Sequence, residues 1–513
     1  MSDKKKNRGS RSRFYDGYEL ARYRKWRGAK DSWIDFKEWL VEKKISGALI
    51  KTDPVRAFKA MTHYRWMAPY LGSGAMVDRT IDDAGGEALV IAHKYMQFLL
   101  KSNVNALCRI IKADERFGKT DEAKKLVIFE QDTSPILIGG FPNLRHTVEE
   151  PYYTILPGAN DQHASHYFTD IIDSYGLPAD SCRNSSLVCG VAIDDELPYL
   201  GACLITSNAP CDSSVMNSSV VERRMKIPSI QGCTPMRYAD EDTREYAIAH
   251  VKEVIQFIED NTGEKFDWDA FFKTIERYNE ETRIQHELWE LAKTPYYPVP
   301  SVPNLLYRSF QLSFSSGLNE ECAEIGREML KICEECVEKK INLRPKTRHR
   351  ALVCGAPASY YMHFSTWMYE CWGINTVAVL NNMSHSDYIS TTDKEEALYG
   401  VAQLWEQAIM RKHLVGGYEH LLALFEEYER FNCDMIVYYD DITCKGTKSM
   451  TGIIQDTANE RGIPLVWVSH DLIDPRSISR NEMRRQVNDF MATVFNEKPL
   501  DESLTDFDDS KGW

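Results

Sequence analysis

Apolar residues recur at three- and four-residue spacing up to about Gly118. "SWIDFKEWLVEKK" and "ALVIAHKYMQFLLKSNVNALCRIIKADERF" are the clearest cases, and both predict amphipathic helices. From Lys125 the period shortens. "KKLVIFEQD" and "PILIGG" read as short strands bounded by turn residues, and "HYFTDIIDSYG" reads as a helix. "GACLITSNAPC", "SSVMNSSVVERRMK" and "IPSIQG" then follow as strand, helix and strand. Helical periodicity returns from Glu241 to about Pro345, broken once by the prolines of "TPYYPVPSVPN". A second alternation starts at His349. "RALVCGAP", "INTVAVLNN" and "CDMIVYYDDITC" read as buried strands, "TGIIQDTANERG" as a helix and "IPLVWVSHD" as a closing strand.

Two units therefore share one pattern of strand, cysteine, helix, Ile-Pro and strand. One is centred on Cys211 and runs to Ile227-Pro228; the other is centred on Cys444 and runs to Ile463-Pro464. The expected fold class is α/β, with two doubly wound parallel-sheet domains facing a cleft and a helical segment joining them. The expected boundaries are 1–124 for a helical N-terminal extension, 125–240 for the first α/β domain and 241–345 for the helical link. The second α/β domain is expected at 346–495 and a frayed acidic tail at 496–513.

Length adds that 513 residues exceed one ordinary core. A net charge of −14 without a dominant basic stripe argues against nucleic-acid binding as the main role. No apolar run is long enough to span a bilayer. "MSDKKKNRGSRSR" is basic with no apolar stretch behind it, so it reads as a solvated tail rather than an export signal. A cytoplasmic, reducing location is expected, in which the thirteen cysteines stay free. There is no P-loop and no G-x-G-x-x-G, so ATP hydrolysis by this chain is not expected.

In open parallel sheets, ligands bind beyond the carboxyl ends of the strands. Cys211 and Cys444 each stand there, ahead of a helix start that is expected to lower the thiol pKa. Cys182 in "GLPADSCRNSSLVCG" occupies a similar polar turn. Three thiolates converging on a cleft could hold an iron–sulfur cluster with one iron left open. Cys189, Cys203, Cys354, Cys371 and Cys433 lie in apolar stretches and read as core. Cys333 and Cys336 form a C-x-x-C, but inside a helix and without a second pair at zinc spacing, so they too read as a helix face. His363, His385 and His470 lie near strand ends, where solvated or structural roles compete with acid–base chemistry.

In this order and spacing the chain resembles the 2-hydroxyacyl-CoA dehydratase and benzoyl-CoA reductase family, in particular the 2-hydroxyglutaryl-CoA dehydratase type of larger subunit. The resemblance runs from about Lys125 to Phe495. It rests on "ADSCRNSSLVCG", "ITSNAPCDSS" through "MKIPSI", "EKFDWDAFFKTIERYNE", "RHRALVCGAPASYY", "YYDDITCKGTKSM" and "GIPLVWVSHDLIDPRSIS". It implies that Cys182, Cys211 and Cys444 ligate a [4Fe–4S] cluster. It further implies a heterodimer with a smaller homologous subunit, an ATP-dependent iron–sulfur activator that injects one electron, and an acyl-CoA substrate. The reaction implied is loss of water from a 2-hydroxyacyl-CoA through a ketyl radical. The alternatives are an aromatic acyl-CoA reductase subunit of the benzoyl-CoA type, or a non-catalytic electron-relay subunit. Ser134, in "QDTSPIL", is the nearest counterpart to a serine that larger subunits carry near the open iron. Ser207, Ser384 and His385 are further candidates for substrate contact.

Overall fold

The computed structural model describes residues 28–63, 84–130, 133–148, 162–194, 200–207, 212–232, 240–383, 387–406 and 418–506. Two four-stranded parallel sheets organise it. The first contains β1 (Leu126–Phe129), β2 (Arg145–Val148), β3 (Cys203–Ser207) and β4 (Ser229–Gly232), in the order β2-β1-β3-β4. The second contains β5 (His349–Cys354), β6 (Ile374–Val379), β7 (Met435–Asp441) and β8 (Leu465–His470), in the order β6-β5-β7-β8. The two orders are the same, and so are the joints. Leu204 N–H donates to Pro228 C=O and Ile436 N–H donates to Pro464 C=O, both at 2.9 Å. Ala202 N–H to Leu126 C=O and Asp434 N–H to Arg350 C=O match again, both at 2.8 Å. The paired Ile-Pro steps are thus equivalent positions in two sheets built alike.

Among the described residues three helices precede the sheets: α1 (Ala29–Thr52), α2 (Pro54–His63) and α3 (Glu87–Ala113). Between β2 and β4 lie α4 (Gln162–Tyr175), α5 (Arg183–Asp194) and α6 (Asp212–Met225). α7 (Glu241–Thr262), α8 (Trp268–Ala292), α9 (Ser301–Phe314) and α10 (Glu320–Glu338) separate the sheets. α11 (Phe364–Trp372), α12 (Lys394–Glu406), α13 (Tyr418–Arg430), α14 (Lys445–Arg461) and α15 (Arg480–Thr493) complete the helices among the described residues.

Successive strand side chains point to opposite faces, so each sheet feeds two cores. Ile128 and Leu204 pack with residues of α2 to α5, whereas Val127, Phe129 and Ile205 pack with α7, α8 and α12. In the second sheet Leu352, Ile436 and Tyr438 meet α3, α8 to α10, α13 and α14. Val353, Val437 and Tyr439 meet α11 and α15.

Three expectations need correction. "PILIGG" is a 3-10 helix, not a strand: Ser134 caps it, Pro135 opens it, and β2 is the following "RHTV". Its glycines permit close packing, because a Cβ on Gly140 would fall 2.2 Å from the Phe266 ring. The acidic tail is tied down as far as Thr505. Leu500 N–H donates to Cys371 C=O at 2.7 Å, Trp367 Nε1 to Leu504 C=O at 2.8 Å, and Asn488 Nδ2 to Thr505 C=O at 2.8 Å. Finally, α1 is inverted relative to an ordinary amphipathic helix. Glu38 and Glu42 are buried, while Trp33, Phe36, Trp39 and Leu40 are exposed.

Candidate functional site

Cys182 sits in the turn that opens α5, and Cys444 is the residue that caps the N terminus of α14. Eight of the eleven described cysteines are buried; Cys182 and Cys444 are two of the three that are only partly so, Cys108 being the other. Cys211 stands one residue before α6 and lies outside the described residues, as do Ser384 and His385. Among the described residues no three His, Cys, Asp or Glu side chains gather as a metal site.

Described residues beside the three cysteines nevertheless meet. The Cys182 carbonyl accepts from Ser213 Oγ at 3.2 Å, and Ser213 is two residues beyond Cys211 on the first turn of α6. The N–H of Arg183, next to Cys182, donates to Thr443 Oγ1 at 3.4 Å, and Thr443 immediately precedes Cys444. Lys445 Nζ reaches Asp180 Oδ2 at 3.6 Å on the exposed side of the same contact. One turn of α5 therefore touches the end of β3–α6 in the first sheet and the end of β7–α14 in the second.

Two buried carboxylates shape these ends. Glu130 follows β1. Its Oε2 accepts from Ser207 N–H at 2.6 Å and Ser218 Oγ at 2.8 Å, and its Oε1 accepts from Ser214 Oγ at 2.6 Å. Burial pushes this carboxyl up, and the three donors pull it back. It thereby links β3 to the first two turns of α6, on either side of Cys211. Asp441 ends β7 and accepts from the Thr443 N–H at 3.1 Å and the Thr443 hydroxyl at 2.9 Å. Burial raises its pKa to about 6. Neither carboxylate was singled out from the sequence. The available signals were an acid closing the apolar run "LVIFE", serines four apart in "SSVMNSS", and the Asp-x-Thr spacing in "DDITC".

The Cys444 thiol departs from expectation. Gly446 and Thr447 N–H groups at the start of α14 favour its thiolate, but burial outweighs them and raises the pKa. Ser134 is buried, its hydroxyl donates to Ser316 Oγ at 2.7 Å and it caps the following turn. Ser207 is buried at the end of β3 with its N–H on Glu130. His470 is fully buried and burial lowers its pKa, so it belongs to the packing beneath the second sheet's end. Cys333 and Cys336 are buried in α10, and burial raises both thiols.

A surface hollow of about 770 Å³ is lined by none of Cys182, Thr443, Cys444 or Ser213. It is bounded by His286, Trp289, Met383, Glu334, Glu426 and Glu427, among others. Five glutamates and one arginine line it, so its rim is net acidic. No helix among the described residues is long and apolar enough to cross a membrane.

A comparison with curated proteins finds no match. A comparison with protein families matches residues 159–493, well over half of the chain, to 2-hydroxyglutaryl-CoA dehydratase, D-component. The matched span contains Cys182, Cys211 and Cys444 together with the whole of the second sheet, and the chain belongs to the 2-hydroxyglutaryl-CoA dehydratase D-component family.

Proposed function

We propose that the chain is the iron–sulfur subunit of a radical 2-hydroxyacyl-CoA dehydratase, with Cys182, Cys211 and Cys444 holding a [4Fe–4S] cluster. The observation that carries this reading is the double contact of the Cys182 turn, with Ser213 on one side and Thr443 on the other. Thiolates are the soft donors that iron–sulfur clusters require. Bound there, a cluster would supply a low-potential electron site and an open iron able to polarise a substrate oxygen.

The need for that chemistry follows from the substrate class. A thioester acidifies only the α-carbon, so the β-proton of a 2-hydroxyacyl-CoA resists a simple base. One-electron reduction of the thioester carbonyl gives a ketyl radical anion that expels the 2-hydroxyl. The resulting enoxy radical has an acidic β-proton, and its loss with return of the electron yields the 2-enoyl-CoA. The electron would come from an ATP-dependent iron–sulfur activator, and a smaller homologous subunit would complete the enzyme. This chain's own part is to carry the three thiolates, fix their segments through Glu130, Ser213, Asp441 and Thr443, and keep water from the site.

The test is iron and sulfide content with Mössbauer spectra on anaerobically prepared protein, for wild type and for C182A, C211A and C444A. Loss of the cluster in each variant is expected; a cluster that survives all three substitutions would falsify the assignment. Anaerobic assay with activator and partner then decides the reaction. Turnover of a 2-hydroxyacyl-CoA supports the dehydratase, and turnover of an aromatic acyl-CoA instead overturns it in favour of a ring reductase.

A further inference from the structure

The first N–H groups of an α-helix have no partner within the helix. For α5 the first of them, on Arg183, is met by Thr443, which lies 260 residues further along the chain in the second α/β unit. Thr443 thus contributes a cap to a helix of the first unit, beside Cys182. The cap is aimed by Asp441. Both donors of Thr443, its N–H and its hydroxyl, point at the Asp441 carboxylate at 2.9–3.1 Å, which leaves the hydroxyl lone pairs for Arg183. All three residues are buried. The neighbouring Lys445–Asp180 pair is exposed on both sides and cannot fix the geometry to a comparable degree.

We infer that Thr443 and Asp441 are positioning residues that lock the Cys182 and Cys444 segments to each other across the two units. The inference rests on the cluster reading above and adds to it the device that sets the distance between two of the ligands. A carboxylate only accepts, so both its oxygens face the threonine donors. An asparagine at 441 would set an NH2 donor against the threonine oxygen, in competition with the Arg183 N–H for its lone pairs. The positioning partners of metal ligands typically govern affinity by about 10–100-fold.

The experiment compares T443V, T443S, D441N and C444A in the full chain, reconstituted anaerobically with iron and sulfide. Competition with a chelator measures iron affinity, Mössbauer spectra report the cluster environment, and thermal unfolding of the iron-free protein checks folding. T443V and D441N should bind iron about 10–100-fold more weakly, with shifted spectra, while T443S retains wild-type values. Wild-type affinity and spectrum in T443V, alongside loss of the cluster in C444A, overturn the lock and leave the cluster reading standing. A cluster retained in C444A overturns both. Should T443V fail to fold, D441N against T443S decides: equal affinities overturn the lock.

Discussion

The backbone N–H of Arg183 meets the hydroxyl of Thr443 at 3.4 Å, although 260 positions separate them. Each neighbours a cysteine, and each belongs to a different α/β unit. The contact forms because the opening turn of α5 lies against the start of α6, just past β3, while α14 starts just past β7, the ends where doubly wound sheets gather their loops. The Ser213–Cys182 bond adds the third segment to the same place.

The C-x-x-C pair of α10 should be inert. Cys333 is packed in a core with residues of α3 and α8, Cys336 is buried three residues further along α10, and burial disfavours both thiolates. C333A and C336A are expected to retain full iron content and to lose about 1 kcal/mol of stability each, as for removal of one buried heavy atom. Iron analysis and denaturant titration measure the two effects, and loss of iron in either variant contradicts the reading.

The helical N-terminal region should weaken in alkali. His93 of α3 lies between Glu42, at 2.9 Å, and Asp35, at 3.0 Å, both on α1. Burial opposes its charge, but the hydrogen bonds and charges of the two carboxylates win and raise its pKa from 6.5 to about 9. A histidine raised on folding stabilises fully below its unfolded pKa and loses that contribution as pH climbs through the folded value. The contribution is on the order of 3 kcal/mol at pH 6 and should vanish between about pH 6.5 and 9. Thermal melts from pH 6 to 10 should show this fall in wild type and a flatter profile in H93Q; identical profiles would refute it.

The turn after β5 should not tolerate a side chain. Gly355 has φ +88°, and a Cβ there would lie 2.2 Å from the Tyr439 carbonyl. G355A is expected to cost more than about 2 kcal/mol, from left-handed strain together with a backbone clash. Gly452 in α14 has open space around it, so G452A should instead stabilise by about 0.5–1 kcal/mol. Denaturant midpoints of the two variants should move in opposite directions.

Much of this molecule is fixed by local pattern. The strand alternation, the two Ile-Pro joints and the helix starts after Cys211 and Cys444 follow from short-range periodicity and turn chemistry, and the sheets obey them. The burial of Cys189, Cys203, Cys354, Cys371 and Cys433 was legible for the same reason. What failed locally was decided at long range. "PILIGG" has strand-like composition, but Ser134 and Pro135 set a helical start and Thr274 and Phe266 press on its glycines. In α1 the carboxylates turn inward because His93 and Gln97 of α3 wait there to receive them.

The sequence by itself determined where the cysteine-bearing turns stand on their strands and helices, because those positions depend on neighbours a few residues away. Only the tertiary structure decided that the Cys182 turn lies against both Ser213 and Thr443, and that Glu130 and Asp441 aim the donors around them. Such contacts join residues tens to hundreds of positions apart. They arise from the packing of two sheets and the satisfaction of buried polar groups, and neither leaves a periodic trace in the chain.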